Sequence, residues 1–319
     1  MTVQRPTHVT VAVVQADGAP FDTATAVDRV CAGIRDAAAK GARLVVFPEA
    51  YVGGYPWGLG FGTTVGGRTD EGRRAWERYR AAAIEVPGPE VERMAEAARE
   101  AGAWVCVGVI EREATRGGGT LYCTLLYLAP DGTLAGKHRK LKPTGAERLV
   151  WGEGDGSTLT AVDTPFGTVG GLICWENYMP LARMAMYGKG VEIWVAPTAD
   201  ARERWIATLR HIALEGRCFV LGCNQYVTRA MFPADLPGIG DLDAKLDPLC
   251  RGGSVIWDPQ GELVAGPLWD RAGMLVAELE LAAVARGKFD FDVTGHYARP
   301  DVFRLVVDER PKDSIVTGD

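Results

Sequence analysis

VGGLICWENYMPLARMAMYGKGVEIWV, residues Val169 to Val195, carries the pattern from which the fold is read. Val169 to Ile173 is a short apolar run of the buried-strand kind, and Val191 to Val195 is another. Between them the spacing predicts a helix over Met179 to Tyr187. Pro180 opens it, because the first helical turn has no use for the N–H that proline lacks. Immediately upstream, Pro165-Phe166-Gly167 reads as a hairpin turn. A crossover helix and a hairpin in one segment imply a mixed sheet with helices on its outer face.

Outward from this segment the same alternation recurs. Thr7 to Gln15 reads as a strand, Thr23 to Lys40 as a helix stopped by Gly41, and Arg43 to Phe47 as a buried strand that ends in Pro48-Glu49. A helix follows at Pro89 to Ala101 and a strand at Ala103 to Ile110. Leu121 to Leu128 and Thr133 to Lys140 form a hairpin around Pro130-Asp131-Gly132. After the central segment come a helix at Arg202 to Arg217, a strand at Phe219 to Gln225 and a hairpin turning at Pro259-Gln260-Gly261. The expected class is therefore α/β with mixed sheets. No linker divides the chain, so residues 1–308 are expected to form one domain, with 309–319 as a loose polar tail. Gly53 to Arg68 and Phe232 to Pro248 interrupt the pattern, and loops this long inside a domain are functional or disordered.

Composition removes several function classes. With 35 basic against 41 acidic residues the net charge is −6, which provides no positive field to gather nucleic acid. No stretch approaches the roughly 20 apolar residues of a membrane span, and no signal peptide is expected at the N-terminus. The seven cysteines are scattered through apolar runs without a CxxC pair, the usage of buried thiols in a reducing cytoplasm. Four histidines and no paired cysteines leave few ligands for a metal, and none is expected. The three serines lie outside GxSxG and SxxK contexts, and the acidic GEGDGS stretch lacks the Lys-Ser/Thr ending of a phosphate loop.

What remains is a set of polar residues at the ends of apolar strands. Glu49 follows VVFP, Lys140 ends KHRK, and Cys174 follows GGLI. A carboxylate, an ammonium and a thiol are what acyl-type chemistry at carbon requires: sulfur attacks, the carboxylate moves protons, and the cation holds developing charge. Singly, each also has a bland reading as a core thiol, a strand-end carboxylate or one charge of a basic hairpin.

In combination the motifs are distinctive. FPEAYVGGYP at Phe47 to Pro56, KHRKLKPTGAERLVWGEGDGS at Lys137 to Ser157 and GGLICWENYMPLARMAMYGKGVEIWVAPTAD at Gly170 to Asp200 resemble the nitrilase superfamily. So do RHIALEGRCFVLGCNQY, RGGSVIWDPQGELVAGP and GHYARPDVF further on, so the resemblance covers nearly the whole chain. It implies a four-layer αββα sandwich, with Glu49 as general base, Lys140 as cation, Cys174 as nucleophile and Glu147 positioning the lysine or substrate. CWEN resembles the true nitrilase branch, which implies hydrolysis of a nitrile to acid and ammonia through a cysteine thioimidate and thioester, without a cofactor. An amidase, a carbamoylase and a cyanide-converting relative are the alternatives within the superfamily; a scaffold that lost turnover is the alternative outside enzymes. Tyr55, Trp57, Trp151, Trp175 and Thr198 are the candidate substrate-binding residues; Tyr51, Tyr178 and Trp194 are further aromatics near the motifs. Homodimers or larger homo-oligomers are expected, with contacts near Met184 to Tyr187 and in the C-terminal part.

Overall fold

The computed structural model describes residues 5–113 and 118–312. Two mixed sheets organise them. The first runs in the order Gly273–Glu280, His8–Gln15, Leu44–Val46, Trp104–Arg112, Leu121–Leu128, Leu134–Arg139. Its three middle-to-left strands His8–Gln15, Leu44–Val46 and Trp104–Arg112 are parallel, and the flanking pairs are antiparallel. The second runs Tyr226–Val227, Cys250–Trp257, Phe219–Cys223, Ile193–Pro197, Gly167–Gly171, Ala161–Thr164, with Leu263–Trp269 also paired to Cys250–Trp257. Ile193–Pro197 is parallel to both of its neighbours.

Alternation along the strands sorts side chains between layers, because successive residues point to opposite faces. Val11 and Val13 join Leu44, Val46 and Leu125 in a core shared with Val169, Ile193, Val195 and Leu221 of the other sheet. Ala12 and Val14 point the other way, onto Val27, Val30 and Ile34 of helix Thr23–Ala39 and Val91 and Met94 of helix Pro89–Ala101. Across the molecule Trp194, Ala196 and Val220 pack under helices Pro180–Gly188 and Glu203–Gly216 through Met186, Leu209 and Ile212. The layers are thus helix, sheet, sheet, helix, the expected αββα sandwich. Each fully buried aliphatic side chain contributes about 1.5–3 kcal/mol relative to exposure.

Local signals account for the helix ends. Asp22 caps Thr23–Ala39 by accepting the Thr25 amide at 3.0 Å, and Gly41 beyond its end has φ +85. Elements without a counterpart in the sequence pattern include helix Asp70–Ala82, strand Gly273–Glu280, helix Ala282–Asp290 and the short strands Thr63–Thr64, Gly67–Arg68 and Tyr226–Val227. Asp70–Ala82 is so charged that its narrow buried face of Gly72, Ala75, Tyr79 and Ala82 is easily passed over. Two expected strands end sooner, at Gly171 rather than Ile173 and at Cys223 rather than Gln225, because the chain leaves the sheet to build loops. Part of the tail expected to be loose is fastened: Glu309 pairs with Lys189 at 2.7 Å and the Lys312 amide donates to Asp155 at 2.7 Å. Residues 313–319 of that tail lie outside the described residues.

Candidate active site

Glu49, Lys140 and Cys174 each stand just beyond a strand, and the sandwich brings the three ends together. The Glu49 turn is pressed onto strand Trp104–Arg112. A Cβ at Gly108 would lie 2.2 Å from the Pro48 carbonyl oxygen and 2.8 Å from Glu49 Cα, so glycine is required there. Cys174 opens a short 3-10 turn, Cys174–Tyr178, with φ +50, a conformation that costs a non-glycine residue about 1–3 kcal/mol. Asn177 Nδ2 holds that turn by donating to the carbonyls of Leu172 and Cys174, each at 2.8 Å.

Lys140 Nζ donates to Glu49 Oε1 at 2.6 Å and to Glu147 Oε2 at 2.8 Å. The Ala199 amide donates to Glu49 Oε2 at 2.9 Å, and Thr198 Oγ1 donates to Cys174 Sγ at 3.1 Å. Glu147 also accepts from Tyr55 Oη and from the Thr144 amide, both at 2.6 Å. Lys140 and Glu49 are essentially sealed from solvent.

This burial sets the proton affinities. Loss of solvent pushes the Glu49 carboxyl up, and the attraction of Lys140 offsets only part of it. Burial, with Glu49 next, also pushes the Cys174 thiol up, so the sulfur is protonated at rest. For Lys140 burial alone favours the neutral amine, but Glu49 and then Glu147 outweigh it and hold the ammonium well above its usual range. The three groups titrate as one unit. The arrangement offers a thiol, a carboxylate with raised proton affinity and a fixed cation, the equipment for nucleophilic addition with proton transfer.

A cavity of about 970 Å³ opens over Cys174. Tyr55, Trp57 and Trp175 line it, as does Glu147. Trp151 and Thr198, expected to contact substrate, are not among its lining residues. Trp151 is buried behind Tyr55 and under Lys140, its indole donating to Tyr79 Oη at 3.0 Å, and Thr198 is turned toward the sulfur. Tyr51 and Trp194 belong to the core, and Tyr178 lies on the outer surface against Trp175 and Trp205. One contribution has no signal in the sequence and another falls in a loop that the sequence singles out. Asp200 and Arg202 form an ion pair at the rim, with the Trp175 indole donating to Asp200 at 2.9 Å. The other wall comes from Ala244 to Leu249, where the Phe232 to Pro248 loop had been marked as functional or disordered.

The family model described as carbon-nitrogen hydrolase matches residues 10–289. The chain belongs to that family. This carbon-nitrogen hydrolase is 58% identical over 306 residues to an aliphatic nitrilase of Sinorhizobium fredii (strain HH103), covering 96% of this chain and 97% of that one. It is 48% identical over 307 residues to a bifunctional nitrilase/nitrile hydratase of Lupinus angustifolius, covering 95% and 87%. Among solved structures, Nit3 of Saccharomyces cerevisiae, described as a member of branch 10 of the nitrilase superfamily, superposes with a TM-score of 0.69 at 20% identity, covering 91% and 97%; that likeness bears on the fold.

Proposed function

We propose that this carbon-nitrogen hydrolase is a nitrilase in which residues 1–308 work as one domain, Cys174 is the nucleophile, Glu49 the proton carrier and Lys140 the fixed cation. The observation that carries this reading is the convergence of thiol, carboxylate and ammonium beneath one cavity. Sulfur adds to the nitrile carbon while Glu49 takes the thiol proton and the nitrile nitrogen becomes protonated, giving a thioimidate. A first water adds to that carbon, nitrogen leaves as ammonia, and a thioester remains. A second water releases the carboxylic acid and returns the proton to sulfur. Lys140 stabilises charge on the reacting nitrogen, and Glu147 anchors Lys140. These steps require no cofactor.

Acid rather than amide is the expected main product, because Lys140 and Glu49 together keep the departing nitrogen protonated so that ammonia leaves before the thiolate. Tyr55, Trp57 and Trp175 give the cavity an aromatic wall suited to an apolar nitrile side chain. The deciding experiment is a time course on aliphatic, aromatic and arylacetonitrile substrates with acid, amide and ammonia measured together. Stable amide as the end product would indicate hydratase-like chemistry, and turnover of amides or carbamoyl compounds alone would indicate the other superfamily activities. All seven cysteines are free and buried, which supports a cytoplasmic location. Among the described residues no helix is long and apolar enough to cross a membrane.

A further inference from the structure

A second buried ionic pair, His138 with Glu176, lies beside the site and takes no part in the chemistry above. Both side chains have zero exposure, and His138 Nε2 approaches the two Glu176 oxygens at 3.0 and 3.2 Å. The Glu176 carboxylate has two further donors. The Leu141 amide reaches Oε1 at 2.6 Å and the Ile173 amide reaches Oε2 at 2.7 Å. Leu141 directly follows Lys140, and Ile173 directly precedes Cys174. One carboxylate therefore ties the backbone carrying the ammonium to the backbone carrying the nucleophile. A glutamate that only capped the turn of Cys174 would need the Ile173 amide alone.

The ring of His138 fixes the state of the pair. Its Nδ1 lies 2.8 Å from the Thr158 carbonyl, an acceptor only, so that nitrogen carries a proton. The other nitrogen faces the two Glu176 oxygens, both of which accept amide protons, and a proton donated from the ring completes that set of donors. The ring is an imidazolium paired with a carboxylate, and Glu176 holds the His138 proton against the opposing effect of burial. Two charges removed from water are retained where an apolar pair of similar volume would fill the space at lower desolvation cost. We propose that His138 and Glu176 are positioning residues that set the separation of Lys140 and Cys174, with His138 holding the Glu176 carboxylate in the orientation that accepts both amides. The inference rests on the assignment of Lys140 and Cys174 to the reaction.

The ring's two contacts can be separated by substitution. His138→Gln places an amide N–H near the Nε2 position and retains a donor to Glu176. His138→Asn places one near Nδ1 and retains only the Thr158 contact. With both variants folded by circular dichroism, His138→Asn should lose about 100-fold in kcat with KM within about threefold of wild type, the cost of misplaced reacting groups. Alkylation of Cys174 by iodoacetamide, followed by intact mass, should slow in parallel, and His138→Gln should recover most of both. Glu176→Gln, which puts an amide N–H against a backbone N–H, should show the same pair of losses. Folded variants with unchanged kcat and alkylation rate would overturn the inference, as would equal behaviour of the two His138 variants. Loss of folding in all three would equally overturn it, since the pair would then serve stability alone. Cys174→Ala in the same assay keeps the two readings apart: turnover by that variant refutes the active-site assignment, whereas its inactivity beside unaffected His138 variants refutes only the positioning role.

Discussion

At the scale of single residues, Lys140 is the most consequential, because one ammonium is shared by two buried carboxylates. Lys140→Ala would strand Glu49 and Glu147 together, and removing one partner of a buried ion pair costs about 3–5 kcal/mol. The expected outcome is abolished turnover with a clearly lowered melting temperature, measured by ammonia release and thermal melts. Near wild-type turnover would contradict the role given to the cation. Cys174→Ala removes no charge and breaks only the hydrogen bond from Thr198 Oγ1, so it should fold normally and be inactive. With a slow substrate the wild-type protein should carry a covalent adduct on Cys174, and an adduct mapped to Cys218 or Cys223 would contradict the assignment. Glu49→Gln should be inactive, and Glu147→Gln severely impaired but measurable, because Glu147 acts through Lys140 and Tyr55.

Among the elements, strand Trp104–Arg112 supports the site from below. Gly108→Ala would drive a methyl against the Pro48 carbonyl oxygen, which is backbone and cannot swing away. Activity should fall by more than stability as Glu49 is displaced, a comparison read from kcat beside urea midpoints. The same strand carries Glu111, which accepts from Thr124 Oγ1 at 2.8 Å and pairs with Arg139 at 2.7 Å and Lys137 at 2.5 Å. Burial disfavours its charge, but Arg139 and Lys137 prevail and hold its carboxyl below the usual range. A depressed native pKa contributes stability above the unfolded value of about 4.3, lost as pH falls through the native one. The stability lost in Glu111→Gln should therefore be large at neutral pH and shrink under acid; a difference constant from neutral to acid pH would show that packing, not charge, is responsible.

For the whole molecule, the self-association expected through helix Pro180–Gly188 and the C-terminal part narrows to the side chains that those segments expose. Met186 and Tyr187 are buried within the chain, so they are not the contact surface. Apolar side chains instead emerge at Tyr178, Met179 and Leu181, and again at Phe289, Val302, Phe303 and Val306. Exposed apolar side chains that form a contiguous patch mark interaction surfaces, and these are the candidates to form one. Light scattering should give a mass above that of one chain, and Leu181→Glu or Phe303→Glu should shift it downward while leaving secondary structure intact. A stable monomer at working concentration would contradict the expectation.

The sequence by itself determined the strand-helix-strand core, since period and punctuation at Pro48, Pro180 and the three hairpin turns depend on neighbours along the chain. It also marked Glu49, Lys140 and Cys174, through motifs that together resemble the nitrilase superfamily, with Glu49 and Cys174 each closing an apolar run. Only the tertiary structure decided that one ammonium serves both Glu49 and Glu147, that Thr198 faces the sulfur, and that Trp151 supports the cavity from behind. It also decided that Glu176 joins the Lys140 and Cys174 backbones, a link made across 35 residues of chain. Spacing along a sequence fixes which face a side chain leaves by; the partner it meets depends on how two sheets are stacked, and no local pattern encodes that.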